Sequence, residues 1–297
     1  MKSSIAYFAL AVILSLGLSG YQRADAAEAY DDEGTLISLT APAMRIISLA
    51  PSLTEILYAA GAGSKVVGVV EFSDYPPEAR SLPVVGRYDS LDLETLLALQ
   101  PDLVIAWRSG NPRAAINRLR ELGLTIYVAE PQDLDTVASH LDRLGILAGT
   151  GTVASAASAS FRRQLQDLRT RYARREPVRT FYQVWNRPLI TAGGKELIND
   201  IISLCGGTNI FRELSRVAPK VSVESVLSRD PQIIVASGMD QERPAWLDSW
   251  RDWTDLSAVK NDKLFFIPPD LMQRHTPRAL EGTQRLCAQI ESVRETN

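Results

Sequence analysis

The sequence has few of the residues that enzymes most often use as metal ligands or nucleophiles. Its 297 residues include two cysteines and two histidines, at spacings that fit no zinc site. It also lacks a phosphate-binding loop, a dinucleotide fingerprint, an HExxH pair and a nucleophile elbow. These absences argue against nucleotide-dependent, zinc-dependent and serine-hydrolase enzymes, and we expect neither catalytic residues nor a resident metal.

Excess positive charge and long apolar runs are also missing. The formal net charge is -3, without basic runs, which argues against a nucleic acid partner. Lys2 precedes an apolar run over residues 5–18 and a small-residue cleavage site ending at Ala26, a pattern typical of a secretory signal peptide over residues 1–26. This run is too short to span a membrane comfortably, and no later segment approaches 18 apolar residues. The sequence therefore predicts an exported protein.

The two cysteines, Cys205 and Cys287, both fall on predicted helices in the second half of the chain. In an oxidising compartment the simplest interpretation is a disulfide between them, which would stabilise the fold by about 4 kcal/mol for a loop of this length. Two buried free thiols are the alternative.

The most informative feature that is present is a segment that occurs twice. Residues 91–106 (LDLETLLALQPDLVIA) and 221–236 (VSVESVLSRDPQIIVA) match at every apolar position and share a proline. Each copy predicts a short helix with a polar N-cap, then a buried strand. Glu94 and Glu224 lie in the first turn, where a helix dipole favours an anion, but their equivalence in two similar lobes also predicts a symmetric pair of surface charges.

The repeat extends upstream of these segments. SLTEILYAAGAGSKV from Ser52 and LINDIISLCGGTNI from Leu197 both predict a helix that ends at glycine and carries an acid, Glu55 or Asp200. Ser52 and Glu55 have the spacing of a capping box.

The alternation of apolar strands with helices predicts an α/β protein of two Rossmann-like lobes with parallel sheets. We assign residues 27–43 to a loose leader, 44–149 to the N-terminal lobe and 177–297 to the C-terminal lobe, with one long connecting helix over 150–176. A ligand would bind in the cleft between the lobes, at the carboxyl ends of the strands. Helices are predicted near residues 53–60, 92–99, 112–122, 133–148, 195–204, 223–228, 244–257 and 277–294.

Aromatic and charged residues follow the predicted strands, an arrangement suited to a large flat ligand with a polar rim. They are Phe72, Asp74, Tyr75, Arg87, Tyr88, Trp107, Arg108, Trp185, Asn186, Arg187, Asp270, Gln273 and Arg274.

The histidines and a group of tryptophans have more ordinary interpretations. We interpret His140, within a predicted helix, as a surface or packing residue. His275 lies on a loop after a strand and could line the cleft, although a structural role is the better interpretation. Trp246, Trp250 and Trp253 recur at one face of a predicted helix, which favours packing.

The motifs together resemble the cobalamin-binding proteins that deliver vitamin to ABC importers in Gram-negative periplasms. The resemblance rests on the run from RIISLAPSLTEILYAAG through VGRYDSLDLETL to PDLVIAWRSGN, then on GGKELINDIISLCGGTNIF, VSVESVL and QRHTPR. It covers nearly all of the chain after the signal peptide. It implies a monomeric, periplasmic, two-lobed binding protein with one helical connector, which carries cobalamin or a related corrinoid as cargo to a permease dimer with its ATPase.

The resemblance also implies roles for individual residues. Glu94 and Glu224 match the two lobe-tip glutamates that dock onto permease arginines, and Cys205 and Cys287 match a family disulfide. Ligand-contacting positions of the family match Phe72, Tyr88, Trp107, Asp270 and Arg274.

The chain departs from the family pattern at two aromatic positions. Tyr88 and Ala218 stand where the characterised enterobacterial protein has tryptophans, and Trp185 could substitute from a neighbouring loop. These changes leave the exact corrinoid open.

Two rival functions remain at this level. A haem carrier of the same superfamily has an iron-ligating tyrosine directly after the equivalent of Gly86, whereas this chain has Arg87 there; a ferric-siderophore carrier is a similar alternative. A secreted enzyme using Asp74, Asp270 or His275 is a third class, although no nucleophile and base are apparent.

Overall fold

A computed structural model describes residues 26–238 and 241–295. The predicted signal peptide therefore lies outside the described residues, apart from Ala26. Within the described ranges, no helix has both the length and the apolar composition needed to cross a membrane.

The chain alternates strands and helices in two halves. The first half contains β1 (Ala27–Tyr30), β2 (Leu36–Leu39), β3 (Ile46–Ser48), α1 (Pro51–Ala59), β4 (Val66–Val69), β5 (Gly86–Arg87), β6 (Ser90–Leu91), α2 (Leu93–Ala98), β7 (Leu103–Trp107), α3 (Arg113–Glu121), β8 (Ile126–Ala129), α4 (Leu134–Leu147) and α5 (Gly151–Tyr172). The second half contains β9 (Val178–Asn186), β10 (Leu189–Thr191), α6 (Leu197–Leu204), β11 (Gly207–Asn209), α7 (Val223–Arg229), β12 (Ile233–Ala236), α8 (Ser257–Lys260), β13 (Leu264–Phe266), α9 (Pro269–Met272) and α10 (Ala279–Arg294).

The two central sheets have the same topology. The first has the parallel order β4-β3-β7-β8. In the second, β11, β9, β12 and β13 are parallel in the corresponding order, and β10 is added antiparallel to β9. The strand of each repeated segment, β7 or β12, lies beside the first sheet strand of its lobe. The prediction of two lobes with parallel sheets is therefore confirmed.

Helices cover both faces of each sheet, as burial of parallel strands requires. The first sheet packs on one face against α1 and α4, and on the other against α2 and α3. The second packs on one face against α6 and α10, and on the other against α7 and neighbouring segments.

A single long helix, α5, connects the lobes. Its 22 residues correspond to a length of about 33 Å. Ala154 packs in the first-lobe core, whereas Phe161 and Leu165 pack in the second-lobe core. The start of α5 also lies very close to α4: a Cβ on Gly145 would be 2.1 Å from the Ala154 Cβ. Glycine at position 145 therefore permits the contact that anchors α5 to the first lobe.

The prediction of a loose leader over residues 27–43 is wrong. β1 and β2 form an antiparallel hairpin in which every second residue is buried, including Ala29 and Ile37. Asp32 continues this attachment, since its carboxylate forms an ion pair with Arg143 of α4 at 2.8 Å. The hairpin is stable because its apolar face packs against the first-lobe core.

The single helix predicted over residues 244–257 is also wrong. A 3-10 helix spans Ala245–Asp252, and α8 begins separately. At three residues per turn, Trp246 and Trp250, which are four apart, point about 120° away from each other, and Trp253 lies beyond the end of the 3-10 helix, so the three tryptophans do not form one stripe. Trp250 is buried as predicted, but Trp253 is 45% exposed.

The predicted N-caps and the disulfide are present. Asp92 accepts from two backbone N–H groups at the start of α2, and Ser222 accepts from one at the start of α7. Cys205 and Cys287 form a disulfide that joins the end of α6 to α10. The predicted capping box at Ser52 is absent, because α1 begins at Pro51 without a side-chain cap.

Candidate ligand-binding cleft

A cavity of about 750 Å³ lies between the lobes at the carboxyl ends of the central strands. Trp107, the last residue of β7, lines it from the first lobe, and His275 and the segment before α6 line it from the second. A larger groove, of about 1000 Å³, is lined by α1, α5 and α10 and by Tyr75, one of the strand-end residues singled out in the sequence. Of the residues that the resemblance assigns to ligand contact, Trp107 lines the first cavity and none lines the larger groove. The resemblance therefore favours the first cavity.

Two first-lobe aromatics predicted to contact ligand form a pair. The ring centroids of Tyr88 and Trp107 are 6.3 Å apart, with the planes tilted by 46°. Asn111, which is buried, holds both residues in place. Its amide nitrogen donates to the Tyr88 carbonyl at 2.7 Å, and its oxygen accepts from the Trp107 backbone N–H at 2.6 Å. Sequence analysis missed Asn111, although a polar residue four positions after a buried strand was an available signal.

Phe72, also a predicted contact, presents its ring to solvent. Phe72 is 69% exposed, and its backbone φ is +65°. A bulky residue in the left-handed region is strained by roughly 1–3 kcal/mol, and such strain clusters at ligand-binding segments. The Phe72 carbonyl accepts from Arg274 of the second lobe at 3.4 Å. The backbone that carries this exposed ring is thus held by an inter-lobe contact.

Arg274 and Asp270, the polar contacts predicted after the last strand, are joined to the first lobe by an ionic cluster. Arg274 pairs with Asp270 at 3.0 Å and, across the lobe boundary, with Glu55 and Asp74, each at 2.9 Å. Arg278 adds a second inter-lobe pair to Glu55 at 2.6 Å. Arg274 and Asp270 therefore both have protein partners at the lobe boundary.

The two repeated acids make reciprocal inter-lobe contacts. Glu55 of the first-lobe α1 contacts arginines around the start of α10. Asp200, its equivalent in the second-lobe α6, accepts from the Leu134 N–H at the start of α4, at 3.4 Å. Glu55 thus contacts the region where α10 of the second lobe begins, and Asp200 contacts the region where α4 of the first lobe begins. Sequence analysis recognised the equivalence of these acids but not this contact.

Trp185, the remaining predicted contact, lies near the end of β9 beside Trp246. Their ring centroids are 6.4 Å apart in an edge-to-face arrangement, and both residues line a cavity of about 630 Å³ at the end of the second-lobe sheet. Trp246, predicted to be a packing residue, is half-buried and extends this aromatic surface.

Glu196 is an ionisable group that sequence analysis did not single out. It lines the inter-lobe cavity just before α6, and burial together with the charge of Glu130 raises its pKa to about 7. Ionised Glu196 therefore destabilises the fold. The contribution of protonated Glu196 to the stability of the protein is fully present below the unfolded pKa of about 4.5 and is lost as the pH rises through about 7.

Glu196→Gln removes this charge and should stabilise the protein at high pH. We expect the free energy of unfolding to rise by about 2–3 kcal/mol at pH 8 and by little at pH 4, since one pKa unit corresponds to about 1.4 kcal/mol. Urea denaturation at the two pH values measures the difference. Equal effects at pH 4 and pH 8 would contradict a raised pKa.

The two glutamates of the repeated segment occupy equivalent exposed positions. Glu94 is the second residue of α2 and Glu224 the second residue of α7. Among residues 26–238 and 241–295, neither carboxylate forms an ion pair. A hydrogen bond from its own backbone N–H and one from Ser222 hold the pKa of Glu224 below its usual range. Both side chains are thus exposed to solvent, without an ion-pair partner in the described ranges.

His140 packs as predicted: it is fully buried, and its Nε2 lies 2.8 Å from the Asp32 carboxylate. In the described part of the chain, no cluster of three or more His, Cys, Asp or Glu residues could hold a metal ion.

Comparison with known proteins identifies the family. A periplasmic binding protein family model matches residues 46–271. The vitamin B12-binding protein of Vibrio cholerae is 42% identical over 258 residues, which cover 86% of this chain and 92% of the relative. The chain belongs to the periplasmic binding protein family.

Solved structures of the family have the same fold. The structure of the periplasmic vitamin B12-binding protein BtuF of Vibrio cholerae matches with a TM-score of 0.78 and 41% identity, covering 85% of this chain and 98% of that one. The periplasmic haem-binding protein RhuT of a Roseiflexus species matches with a TM-score of 0.74 at 22% identity, over 84% and 98% of the two chains. At that identity the second match supports the fold alone. The named relatives are binding proteins of the periplasmic family, not enzymes.

Proposed function

We propose that this protein captures cobalamin or a related corrinoid between its lobes and delivers it to the permease of an ABC importer. The observation that carries the proposal is the 42% identity, across 86% of the chain, to a protein named for vitamin B12 binding. No chemical step is involved, and cobalamin is cargo rather than cofactor. Export by the predicted signal peptide of residues 1–26 would bring the protein to the periplasm.

The aromatic residues at the ends of the strands suit this ligand. A corrin is a large, nearly flat ring, and aromatic side chains gain both buried area and a defined stacking geometry from such a surface. Tyr88 and Trp107 supply that surface from the first lobe, and Phe72 adds an exposed ring on the neighbouring loop. Trp185, with Trp246, supplies a second aromatic surface on the other lobe.

The polar groups also fit the proposal. Amide groups surround a corrin, and charged residues at the cleft rim can hydrogen-bond to them. We assign this role to Asp270 and Arg274, which are part-buried at the boundary between the lobes. Ligand amides would then share these side chains with Glu55 and Asp74.

Calorimetric titration of the purified mature protein with cyanocobalamin tests the proposal. We expect one-to-one binding with submicromolar affinity, and much weaker binding of haemin and of a ferric siderophore. Binding of haemin without binding of cyanocobalamin would replace the proposed cargo by haem. Conversion of the ligand to a new product on incubation would instead indicate an enzyme.

Trp107→Ala tests the aromatic surface. We expect the free energy of cyanocobalamin binding to weaken by about 1–3 kcal/mol, because the mutation removes a stacked ring from the cavity. Calorimetry measures the change. Trp253→Ala is a matched control, because Trp253 is an exposed tryptophan of the second lobe that does not line the cavity. An unchanged dissociation constant in Trp107→Ala would make Trp107 a packing residue only.

A further inference from the structure

His275 has an unusual environment for a histidine in a structural role. It lies on the loop between α9 and α10 in the second lobe and lines the same inter-lobe cavity as Trp107 of the first lobe. Its imidazole forms no hydrogen bond with any residue in the described ranges. The other histidine, His140, is fully buried, with its Nε2 bonded to Asp32 and its Nδ1 without a hydrogen-bond partner in the described ranges. A packing role explains His140 but leaves the nitrogen atoms of His275 without a function.

The chemistry of this imidazole is that of a free nitrogen donor. Loss of solvation lowers the pKa of His275 to about 4; the positive field of His140 also lowers it, and Asp133 opposes the shift. Lys195, Glu196 and Asp200 also line the cavity. The ring is therefore neutral at physiological pH, and a neutral imidazole nitrogen is the most common protein ligand for transition metals.

The placement of His275 suits a metal carried at the centre of a flat ligand. A corrin that lies against the Trp107 ring presents its other face to the rest of the cavity, which the second lobe lines. Cobalt(III) has an axial position on each face of the corrin. Where that position holds water, a neutral nitrogen donor that reaches it can take its place.

We infer that His275 coordinates the cobalt of the bound corrinoid, so that the protein prefers corrinoids that carry an exchangeable axial water. The inference rests on the proposed corrinoid-binding function. In the aquo form a nitrogen lone pair of His275 forms a Co–N bond, the Co–O bond breaks and water leaves. Cobalt remains in the +3 state, and neither electrons nor protons are transferred. Cyanocobalamin, whose axial positions are both filled by strong ligands, would bind without this bond.

The test compares two ligands and three proteins. Aquocobalamin and cyanocobalamin are titrated into the wild type, His275→Ala and His275→Gln, with the dissociation constant and the visible absorption spectrum recorded. For the wild type we expect the aquocobalamin bands to move to those of an imidazole-ligated corrinoid. In both variants we expect no band shift and an affinity for aquocobalamin about tenfold weaker, as loss of one ligating contact suggests. Affinity for cyanocobalamin should fall by less than affinity for aquocobalamin, because no bond to cobalt is lost.

The outcomes separate this inference from the proposed function. If the wild type binds aquocobalamin without a band shift, or if the shift persists in both variants, His275 is not a cobalt ligand. If the wild type binds neither corrinoid, the proposed function itself is wrong. Thermal melting of the three proteins shows whether the variants are folded, and retained one-to-one binding of cyanocobalamin identifies an intact cleft.

Discussion

Reversing the charge of both lobe-tip glutamates, in Glu94→Arg with Glu224→Arg, should abolish corrinoid uptake and leave ligand affinity nearly unchanged. Both carboxylates are exposed, occupy equivalent positions in two similar helices and form no ion pair within the described ranges. If they dock onto cationic groups of a permease, the mutations place like charges against each other. That costs several kcal/mol, so uptake should fall by ~100-fold or more.

The measurement combines uptake of labelled cobalamin, in cells that lack the native binding protein, with calorimetry on the purified variant. Glu78→Arg with Glu176→Arg is a matched control, since it reverses one exposed glutamate in each half of the chain, away from the repeated segment. The control should transport normally. Normal uptake by the Glu94 and Glu224 variant would mean that docking uses another surface, and a large loss of affinity would assign the two residues to the cleft.

Removing the buried carboxylate of Glu55 should destabilise the protein more than any surface mutation. Glu55 is 3% exposed and accepts hydrogen bonds from Arg274 at 2.9 Å and from Arg278 at 2.6 Å and 2.8 Å. Glu55→Ala leaves both guanidinium groups without their central partner at the lobe boundary. Breaking a buried ion pair in this way costs about 3–5 kcal/mol in the free energy of unfolding.

Urea denaturation measures this loss, with Glu78→Ala as the control at an exposed glutamate. The control should change stability by less than about 0.5 kcal/mol. Replacing Arg274 and Arg278 by methionine and Asp270 by asparagine in the Glu55→Ala background should recover part of the loss, because the two guanidinium groups and the Asp270 carboxylate that pairs with them are then all removed. If Glu55→Ala matches the control, the ionic cluster does not contribute to the stability of the inter-lobe boundary.

The repeated segment was predictable because its signals are local. Asp92 and Ser222 cap the helices that the sequence predicts, and a buried strand follows each helix. Residues 91–96 and 221–226 even share one burial pattern, residue by residue. Local hydrogen bonding and the period of apolar residues determine these features, so one sequence contains enough information to place them.

The wrong predictions arose where distant contacts override local pattern. Residues 27–39 are a short polar segment in the sequence, and only the neighbouring first-lobe core makes them a buried hairpin. Trp253 fits a helical stripe in the sequence, but the 3-10 helix ends at Asp252, before it, and Trp253 is exposed. Asn111 was missed because its importance lies in bonds to three backbone groups, those of Leu49, Tyr88 and Trp107.

The sequence by itself determined the two-lobed α/β fold, the connecting helix, the disulfide partners and the equivalent positions of Glu94 and Glu224. Each depends on local periodicity, on capping residues or on comparison of the two halves. Only the tertiary structure decided what Glu55 and His275 contact. The Glu55 partners lie 219 and 223 positions away, and the cavity that His275 lines is formed by both lobes. Contacts at such separations depend on how the lobes pack, which local sequence pattern does not encode.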